Sequence, residues 1–429
     1  MPESRPLRLA CWRAYSPADT RWAKVHHLAF ESIAAHCRHR RLPVELVHCP
    51  TAAAAIAAEA DAWMISSVSG AWPEAAACAR RLAAMGRLVL MGGPHLTSLP
   101  SCVPPGTIGV VGEGEETACQ VLRAIAGGQD LRRCDRGIPG TIVHGDCGWL
   151  HHGPPRPRLR LEEISHLPVS MELAPGRLEC IATRGCPFRC WFCSAWRIWR
   201  VAGCPAVSRF APAVIAEQLA EYFDGRDGGI VTFQGLTFSS SPRWVLDLCR
   251  ELRARGAPGR FRVVGTTWSA AHRDPAVLEA VRSIGVEWLG IGMETASPAL
   301  FRRLKPHLHV EDNVGLIEAA APLGLQVRAS FIVGTPGETA DDLAATERFI
   351  RRWTGPAFRQ NGLFAFTPFP GTPAWDELLA TGRVGPDMDW HLLACGADPR
   401  KARVGWWNDA MPYAQGVRWR NRLSAASRP

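Results

Sequence analysis

Short apolar runs alternate with segments of helical period through the first third of the chain. The runs that predict strands span residues 7–10, 44–47, 62–66, 88–91 and 108–111. Apolar residues recur with helical spacing at 22–37, 52–60, 72–85, from about 100 onward and at 115–126. Five repeats of strand then helix predict a parallel, doubly wound (Rossmann-like) α/β sheet with right-handed crossovers.

Glycine, serine and threonine follow three of these strands. Loops 66–70, 92–97 and 112–115 read Ser-Ser-Val-Ser-Gly, Gly-Gly-Pro-His-Leu-Thr and Gly-Glu-Gly-Glu. Strand ends of a parallel sheet share one edge, which is where ligands bind in such folds. Glycine lets a ligand approach the backbone, and small hydroxyl groups offer hydrogen bonds. We expect the three loops to converge on a ligand site.

The alternation resumes after a turn-rich stretch. Residues 127–175 carry glycine and proline clusters with weak strand signals, which is typical of a connection between domains. Beyond it, predicted strands span 178–183, 230–233, 261–266, 288–292, 326–333 and 362–366, and predicted helices span 212–222, 242–255, 275–284, 310–321 and 340–353. Six strand–helix units predict a partial (β/α)6 barrel with its site at the strand carboxyl ends. The predicted domains are 1–130, a linker at 131–175, a barrel at 176–375 and a tail at 376–429.

Composition narrows the class of protein. Of the 429 residues, 47% are hydrophobic and 21% are charged, as in an ordinary globular protein. No uncharged apolar stretch is long enough to span a membrane, and no secretory signal is recognisable at the N-terminus, so a cytoplasmic protein is expected. The net charge of +9 comes from dispersed arginines, since lysine occurs only at 24, 305 and 401. A dedicated nucleic-acid surface is therefore not expected.

The fifteen cysteines include one dense cluster. An odd count without a secretion signal argues against a disulfide framework. Cys186, Cys190 and Cys193 follow the first predicted barrel strand at C-x3-C-x2-C spacing. Three thiolates can hold a [4Fe-4S] cluster and leave one iron open. Zinc is the alternative, with Cys180 as a fourth ligand, although structural zinc usually takes two CxxC pairs.

This cysteine loop resembles that of the radical S-adenosylmethionine (SAM) superfamily. Three further segments are similar to later strand motifs of that family: Gly-Ile-Gly-Met-Glu-Thr at 290–295, Phe-Ile-Val-Gly-Thr-Pro-Gly-Glu-Thr at 331–339 and Thr-Pro-Phe-Pro-Gly-Thr-Pro at 367–373. The last two, with loops 92–97 and 112–115, resemble the subgroup that carries an N-terminal cobalamin-binding domain. The resemblance covers residues 60–380. The chain departs from the subgroup in its first forty residues and in the segment Phe-Gln-Gly-Leu-Thr-Phe at 233–238, where the family often has an acidic residue at the centre.

The resemblance implies a set of site residues. Cys186, Cys190 and Cys193 would bind the [4Fe-4S] cluster. Phe192 and Glu294 would lie beside SAM, and Arg328 would meet SAM, a substrate carboxylate or Glu294. The residues implied for cobalamin are Ser66, Ser67, Gly92, Gly93, His95, Thr97, Gly112, Glu113 and Gly114. No D-x-H-x-x-G motif is present, so no histidine is expected on the cobalt.

The function implied is that of a cobalamin-dependent radical SAM enzyme. The favoured reaction is methylation of an unactivated carbon, or of phosphorus, in a small-molecule or peptide natural product, with an electron donor such as flavodoxin or ferredoxin. The alternatives are an oxidative cyclisation or rearrangement with the same cofactors, or a cobalamin-free transfer of a 3-amino-3-carboxypropyl group. From another class, a zinc-bearing nucleic-acid-binding protein remains open. A tRNA-modifying role is disfavoured, because only about fifty residues follow the barrel.

Overall fold

The chain forms two large sheets of mainly parallel strands, each packed against helices. The computed structural model describes residues 5–14, 27–129, 137–144, 150–156, 158–200, 204–236, 238–394 and 405–427. All structural statements below concern these residues.

The first sheet has the strand order β2-β1-β3-β4-β5-β6-β7. Strands β1 to β5 run parallel, while β6 and β7 are antiparallel additions at one edge. The strands are β1 Leu7–Ala14, β2 Val44–His48, β3 Ala62–Ser67, β4 Val89–Gly92, β5 Ile108–Val110, β6 Thr141–His144 and β7 Leu150–His152. The predicted doubly wound sheet is confirmed.

Five helices flank this sheet. They are α1 Leu28–His39, α2 Ala52–Ala57, α3 Trp72–Ala84, α4 Pro94–Ser98 and α5 Glu115–Ala126. The helix expected from about residue 100 is wrong, because Pro100–Cys102 forms only one 3-10 turn after the short α4. Within the predicted first helix, residues 22–26 lie outside the described part of the chain, and α1 begins at Leu28.

The second sheet has the order β16-β15-β14-β13-β12-β9-β8. Its six strands from β9 to β16 are parallel, and β8 pairs antiparallel with β9. The strands are β8 Ser170–Ala174, β9 Arg177–Cys180, β12 Ile230–Phe233, β13 Arg262–Thr267, β14 Trp288–Glu294, β15 Gln326–Val333 and β16 Phe358–Ala365; β10 Thr183–Gly185 and β11 Val207–Arg209 form a separate antiparallel pair. Six parallel strands in chain order agree with the predicted partial barrel.

Six helices pack in the core of this sheet: α7 Pro212–Tyr222, α8 Pro242–Ala254, α9 Pro275–Ser283, α11 Val310–Ala320, α12 Ala340–Trp353 and α14 Tyr413–Ala426. The other described helices of this half, α6 Ala195–Ile198, α10 Pro298–Leu304 and α13 Pro373–Ala380, lie on the side that faces the first half. The strict alternation of β15 shows why the sheet folds this way. Val327, Ala329, Phe331 and Val333 are 0–2% exposed and join a core with residues of α11 and α12, while the residues between them face the other side.

Segments predicted as connection and tail tie the two halves together. Within 131–175, β6 and β7 extend the first sheet and β8 extends the second, which is more regular structure than its turn-rich sequence indicates. In the tail, Trp390 and Leu393 are buried in the core of the first half. The tail packs closely against the loop after β3: a Cβ on Gly70 would lie 2.6 Å from the Cα of Ala394.

Candidate functional site

A cavity of about 520 Å3 lies at the carboxyl edge of β3, β4 and β5, where the first sheet faces the barrel. Its volume is within the usual range for small-molecule and cofactor sites. The predicted loop residues in its lining are Ser66, Ser67, Gly92, Gly93, Thr97, Gly112, Glu113 and Gly114. The three loops therefore share one cavity, as the parallel order of their strands requires.

The cavity extends as an apolar slot between the sheet and two helices. Its walls are Met64, Ile65, Leu90, Met91 and Val110 from the strands, and Leu28, Phe30, Ile33 and Ala118 from α1 and α5. The barrel half closes the opposite side with Met171, Glu179, Ile181, Arg184, Ile198 and Trp199. A bound molecule would contact both halves of the protein.

The loops are held against each other by glycine and threonine. Gly93 has φ +98°, and a Cβ there would lie 2.7 Å from the carbonyl oxygen of Ser67, so only glycine permits this approach. The Oγ1 of Thr97 accepts a hydrogen bond from the Gly112 N–H at 3.1 Å. Gly112 itself has φ +81°, and a Cβ there would meet no atom within 4 Å. It leaves open space beside the cavity.

His95 stands apart from the other predicted cobalamin residues. It is fully buried, and its Nδ1 bonds the Oγ of Ser69 at 3.0 Å. Its ring stacks on Trp72 and meets Trp390 edge-on. Burial lowers the pKa of His95 to about 3, so the ring is neutral. The structure places it in a tryptophan-lined core rather than in the cavity lining.

A different histidine does line the cavity. His27 precedes α1, and its Nδ1 accepts a hydrogen bond from the Ala29 N–H at 3.2 Å. Burial, with a smaller effect of Arg13, lowers the pKa of His27 to about 3. The sequence analysis did not single out this residue, because no motif surrounds it.

The three motif cysteines lie on the loop between β10 and α6. Each is a free, partly exposed thiol. Burial raises the pKa of Cys186 to about 11 and the pKa of Cys190 to about 12, and it also raises the pKa of Cys193. The backbone N–H groups of Phe188 and Ala195 donate to the sulfurs of Cys186 and Cys193.

This donor set fits an iron–sulfur cluster. In the described residues no three His, Cys, Asp or Glu side chains are grouped closely enough to hold one metal ion. An iron–sulfur cluster does not need such a tight group, because each of its thiolate ligands binds a different iron. Backbone N–H groups that donate to the sulfurs tune the reduction potential of such a cluster. Cys180 is fully buried in the barrel core, and burial raises its pKa.

Trp191 fixes the middle of the cysteine loop. Its backbone N–H donates to the Leu304 carbonyl at 2.9 Å, and its carbonyl accepts from the Ala374 N–H. Its indole Nε1 donates to Glu377 at 2.6 Å, and the guanidinium of Arg303 lies 4.3 Å from the ring centre. Helices α10 and α13 thereby hold the loop from two sides. Phe192 packs with the same group of apolar residues.

Glu294 ends β14 in a strained backbone conformation, with φ +63°. Its Oε1 lies 3.0 Å from the Nζ of Lys305, and both side chains are about nine-tenths buried. Lys305 also donates to the carbonyl of Gly292. Burial alone would lower the pKa of Lys305, but Glu294 and the adjacent Cys190 outweigh it and raise that pKa. A buried acid–base pair therefore stands next to the cysteine loop.

Arg328 is not part of this group. It lies near the start of β15, where its Nε donates to Gln326 at 2.9 Å and its guanidinium stacks 4.9 Å from the Trp288 ring centre. The partner of Glu294 is Lys305 instead. Lys305 was missed, although it is one of only three lysines and the one that follows the Glu294 motif by eleven residues.

No described helix is long and apolar enough to cross a membrane.

Comparisons with known proteins agree with this geometry. The family model of the radical SAM superfamily matches residues 180–350. An uncharacterised methyltransferase of Pyrococcus horikoshii is 26% identical over 327 residues, which cover 71% of this chain and 65% of that protein. The chain thus spans a little under two thirds of that relative.

Two solved structures share the fold. The radical SAM methyltransferase TsrM of Kitasatospora setae, solved with tryptophan substrate and a SAM analogue, matches with a TM-score of 0.68 at 17% identity and covers 88% of this chain and 76% of its own. The cobalamin-dependent SAM radical enzyme OxsB, solved with aqua-cobalamin and SAM, matches with a TM-score of 0.66 at 15% identity and covers 98% of this chain and 62% of its own.

A radical SAM domain implies a [4Fe-4S] cluster and SAM, and both suit the loop at 186–193 and the buried pair beside it. Residues 180–350, which carry the cysteine loop and the buried pair, are thus similar in sequence to the radical SAM superfamily, and the chain shares its fold with two enzymes of that kind.

Proposed function

We propose that this protein is a cobalamin-dependent radical SAM methyltransferase acting on an unactivated carbon, or on phosphorus, of a small-molecule or peptide natural product. The observation that carries the proposal is the shared cavity. One wall consists of three glycine- and serine-rich strand-end loops, and the other belongs to the barrel that bears the cysteine loop. Two cofactors held in these positions can both reach one substrate.

The cavity suits a corrin with a nucleotide tail. The glycines at Gly93 and Gly112 leave backbone without side-chain atoms at these two positions of the loops. The apolar slot between the sheet and helices α1 and α5 offers room for an aromatic base. The cobalamin named with OxsB supports the same assignment. Ser66, Ser67 and Thr97 would offer hydroxyl groups to its amides.

The pair at Glu294 and Lys305 is complementary to the amino acid end of SAM. That end of SAM carries an ammonium and a carboxylate. On binding, the single ion pair between Glu294 and Lys305 would be replaced by two ion pairs with SAM. Glu294 would accept the ammonium, and Lys305 would face the carboxylate. Phe192 would pack against the adenine. The backbone strain at Glu294 is already present before SAM binds.

When bound, SAM and cobalamin would supply two things: a 5′-deoxyadenosyl radical, which removes a hydrogen from the substrate, and a methyl group, which comes from methylcobalamin and is replaced from a second SAM. The chain's own part is to orient and to exclude water. Trp191 and its partners fix the cysteine loop, and the two halves enclose the space between the sites. We place the protein in the cytosol, where a flavodoxin or ferredoxin would supply electrons.

Product stoichiometry tests the reaction class. Under anaerobic, reducing conditions with candidate substrates, we expect equal amounts of 5′-deoxyadenosine and S-adenosylhomocysteine, and the intact labelled methyl of SAM in the product. Deoxyadenosine without S-adenosylhomocysteine would instead identify cyclisation or rearrangement. Methylthioadenosine as the main product would identify aminocarboxypropyl transfer. Liquid chromatography with mass spectrometry separates all three.

Replacing Lys305 by methionine should weaken SAM binding by about tenfold to a thousandfold, because it removes one member of a buried charge pair. Isothermal titration with the cluster-loaded protein measures the affinity. The double variant Glu294→Gln with Lys305→Met is the control for folding, since it leaves no unpaired buried charge. It should regain thermal stability and still bind SAM weakly. Wild-type affinity in Lys305→Met would remove this residue from the SAM site.

A further inference from the structure

A buried network of two acids and one arginine crosses from the cavity to the cysteine loop. Arg184 donates through one guanidinium nitrogen to Glu113 at 3.1 Å and through the other to Glu115 at 2.7 Å. All three side chains are 7–10% exposed. The two acids belong to the loop that lines the cavity, whereas the arginine belongs to β10 of the barrel half. One guanidinium therefore joins the two halves.

The connecting segment between the halves is anchored to the same network. The second carboxylate oxygen of Glu113 accepts the backbone N–H of Leu159 at 2.7 Å. Arg158 donates to the carbonyl of Arg184, and its other nitrogen donates to the carbonyls of Pro205 and Ala206 at 3.0 and 2.9 Å. Three chain segments thus meet at one set of charged hydrogen bonds.

The residue after Arg184 has to be a glycine for these segments to come together. Gly185 has φ +90°, and a Cβ there would lie 2.2 Å from the Ala206 carbonyl oxygen and 2.5 Å from a guanidinium nitrogen of Arg158. No other residue could occupy the position without moving one of them. The next residue in the chain is Cys186. Arg184 therefore lies two residues before the first of the three motif cysteines.

This arrangement changes the role of Glu113. The sequence motif implied a cofactor contact for Glu113, yet both of its carboxylate oxygens accept hydrogen bonds, one from Arg184 and one from Leu159. Burial raises the pKa of Glu113, and the guanidinium of Arg184 opposes that rise. Its carboxylate therefore connects the cavity loop to β10 and to the segment at Leu159, and it has no oxygen left for a ligand.

We propose that Arg184 is a positioning residue: with Glu113 and Glu115 it fixes the cysteine loop relative to the cavity, so that the two sites keep one separation. A buried ion network is weak evidence for stability, and its best-attested use is to fix one register among alternatives. A fork that meets two carboxylates defines direction as well as distance. The inference rests on the proposed function in one respect only: the proposed reaction is the reason why the cysteine loop and the cavity need a fixed separation.

Hydrogen–deuterium exchange of the cofactor-free protein tests the coupling directly. Amides in both segments are protected by hydrogen bonds, such as Gly112 to Thr97 and Trp191 to the Leu304 carbonyl. In Glu113→Gln and in Arg184→Met, exchange should accelerate by about tenfold or more in residues 112–115 and in residues 183–193 together. Because no cofactor is present, the result stands whether or not the proposed reaction is right.

Two variants separate positioning from simple stabilisation. Glu347→Gln is the matched control, since Glu347 is also about nine-tenths buried and meets two arginines, Arg351 and Arg422, but far along the chain on α12. It should leave both segments unchanged. Arg184→Lys restores the positive charge but not the two-pronged fork, so it should keep the melting temperature and still accelerate both segments. It also carries the test if Arg184→Met does not fold.

Three results would overturn the proposal. One is acceleration confined to the segment that carries the substitution, which would show that the loops are not coupled. Another is wild-type exchange in Arg184→Lys, because charge balance alone would then suffice. The third is an equal effect of Glu347→Gln on both segments, which would reduce the network to a general contribution to stability.

Discussion

Alanine in place of Cys186, Cys190 or Cys193 is expected to remove the iron–sulfur cluster and all SAM cleavage. Each thiolate would bind a separate iron, so two remaining thiolates would leave the cluster open at two corners. Anaerobically reconstituted protein should lose its charge-transfer absorbance and fall from about four irons and four sulfides per chain to near zero. Production of 5′-deoxyadenosine should become undetectable.

Two other cysteines serve as controls. Cys204 is partly exposed like the three motif thiols, and Cys180 is fully buried in the barrel core. Alanine at either position should leave the iron and sulfide content unchanged. Loss of metal in Cys180→Ala alone would show that the ligand set is wrong. Stoichiometric zinc without sulfide in the wild-type protein would favour the zinc-bearing alternative.

Periodicity in the sequence was sufficient for most of the fold. Strands such as β15 and helices such as α12 were predicted to the residue, because strict alternation and a capped amphipathic pattern leave one arrangement that buries the apolar face. Near Pro100 the pattern misled, because three prolines and a glycine within residues 100–106 permit only short turns. The strands β6 and β7 are short antiparallel additions to the sheet, and such short strands carry little periodic signal.

The site was only partly readable for a physical reason. Motif spacing identified residues that share one loop, such as the three cysteines. It could not identify pairs between distant segments. The sequence implied the SAM amino group as the partner of Glu294, with Arg328 as another option, whereas the fold supplies Lys305 from the loop after α10. Arg184 likewise meets acids about seventy residues earlier in the chain. Such pairs depend on tertiary contacts that no local pattern encodes.

The cavity gives the second large expected effect. Protein produced with cobalamin supplied should retain about one equivalent, because the three loops and the apolar slot would offer a corrin and its tail a preformed contact surface. Ser66→Trp should reduce retention to less than about a tenth, since an indole at this lining position would fill the space between the loops. Absorbance of the purified protein after removal of free cobalamin measures it.

A matched tryptophan on the surface controls for folding. Ser101 is exposed on the 3-10 turn after α4 and does not line the cavity, so Ser101→Trp should retain cobalamin as the wild type does. Both variants should still load the iron–sulfur cluster, because residues 186–193 are untouched. Equal cobalamin retention in Ser66→Trp and in the wild type would show that the cofactor, if bound, lies elsewhere.

The cobalt of the bound cofactor should carry no protein imidazole. His95 is buried away from the cavity, and the Nδ1 of His27 already accepts the Ala29 N–H at the start of α1. A cobalt without a protein ligand would be easier to reduce to the state that takes up a methyl group from SAM. Electron paramagnetic resonance of the Co(II) form should show no nitrogen splitting, and His27→Phe should leave the spectrum unchanged. Nitrogen splitting that disappears in His27→Phe would make His27 the lower ligand, and the cap at α1 would then have to open on binding.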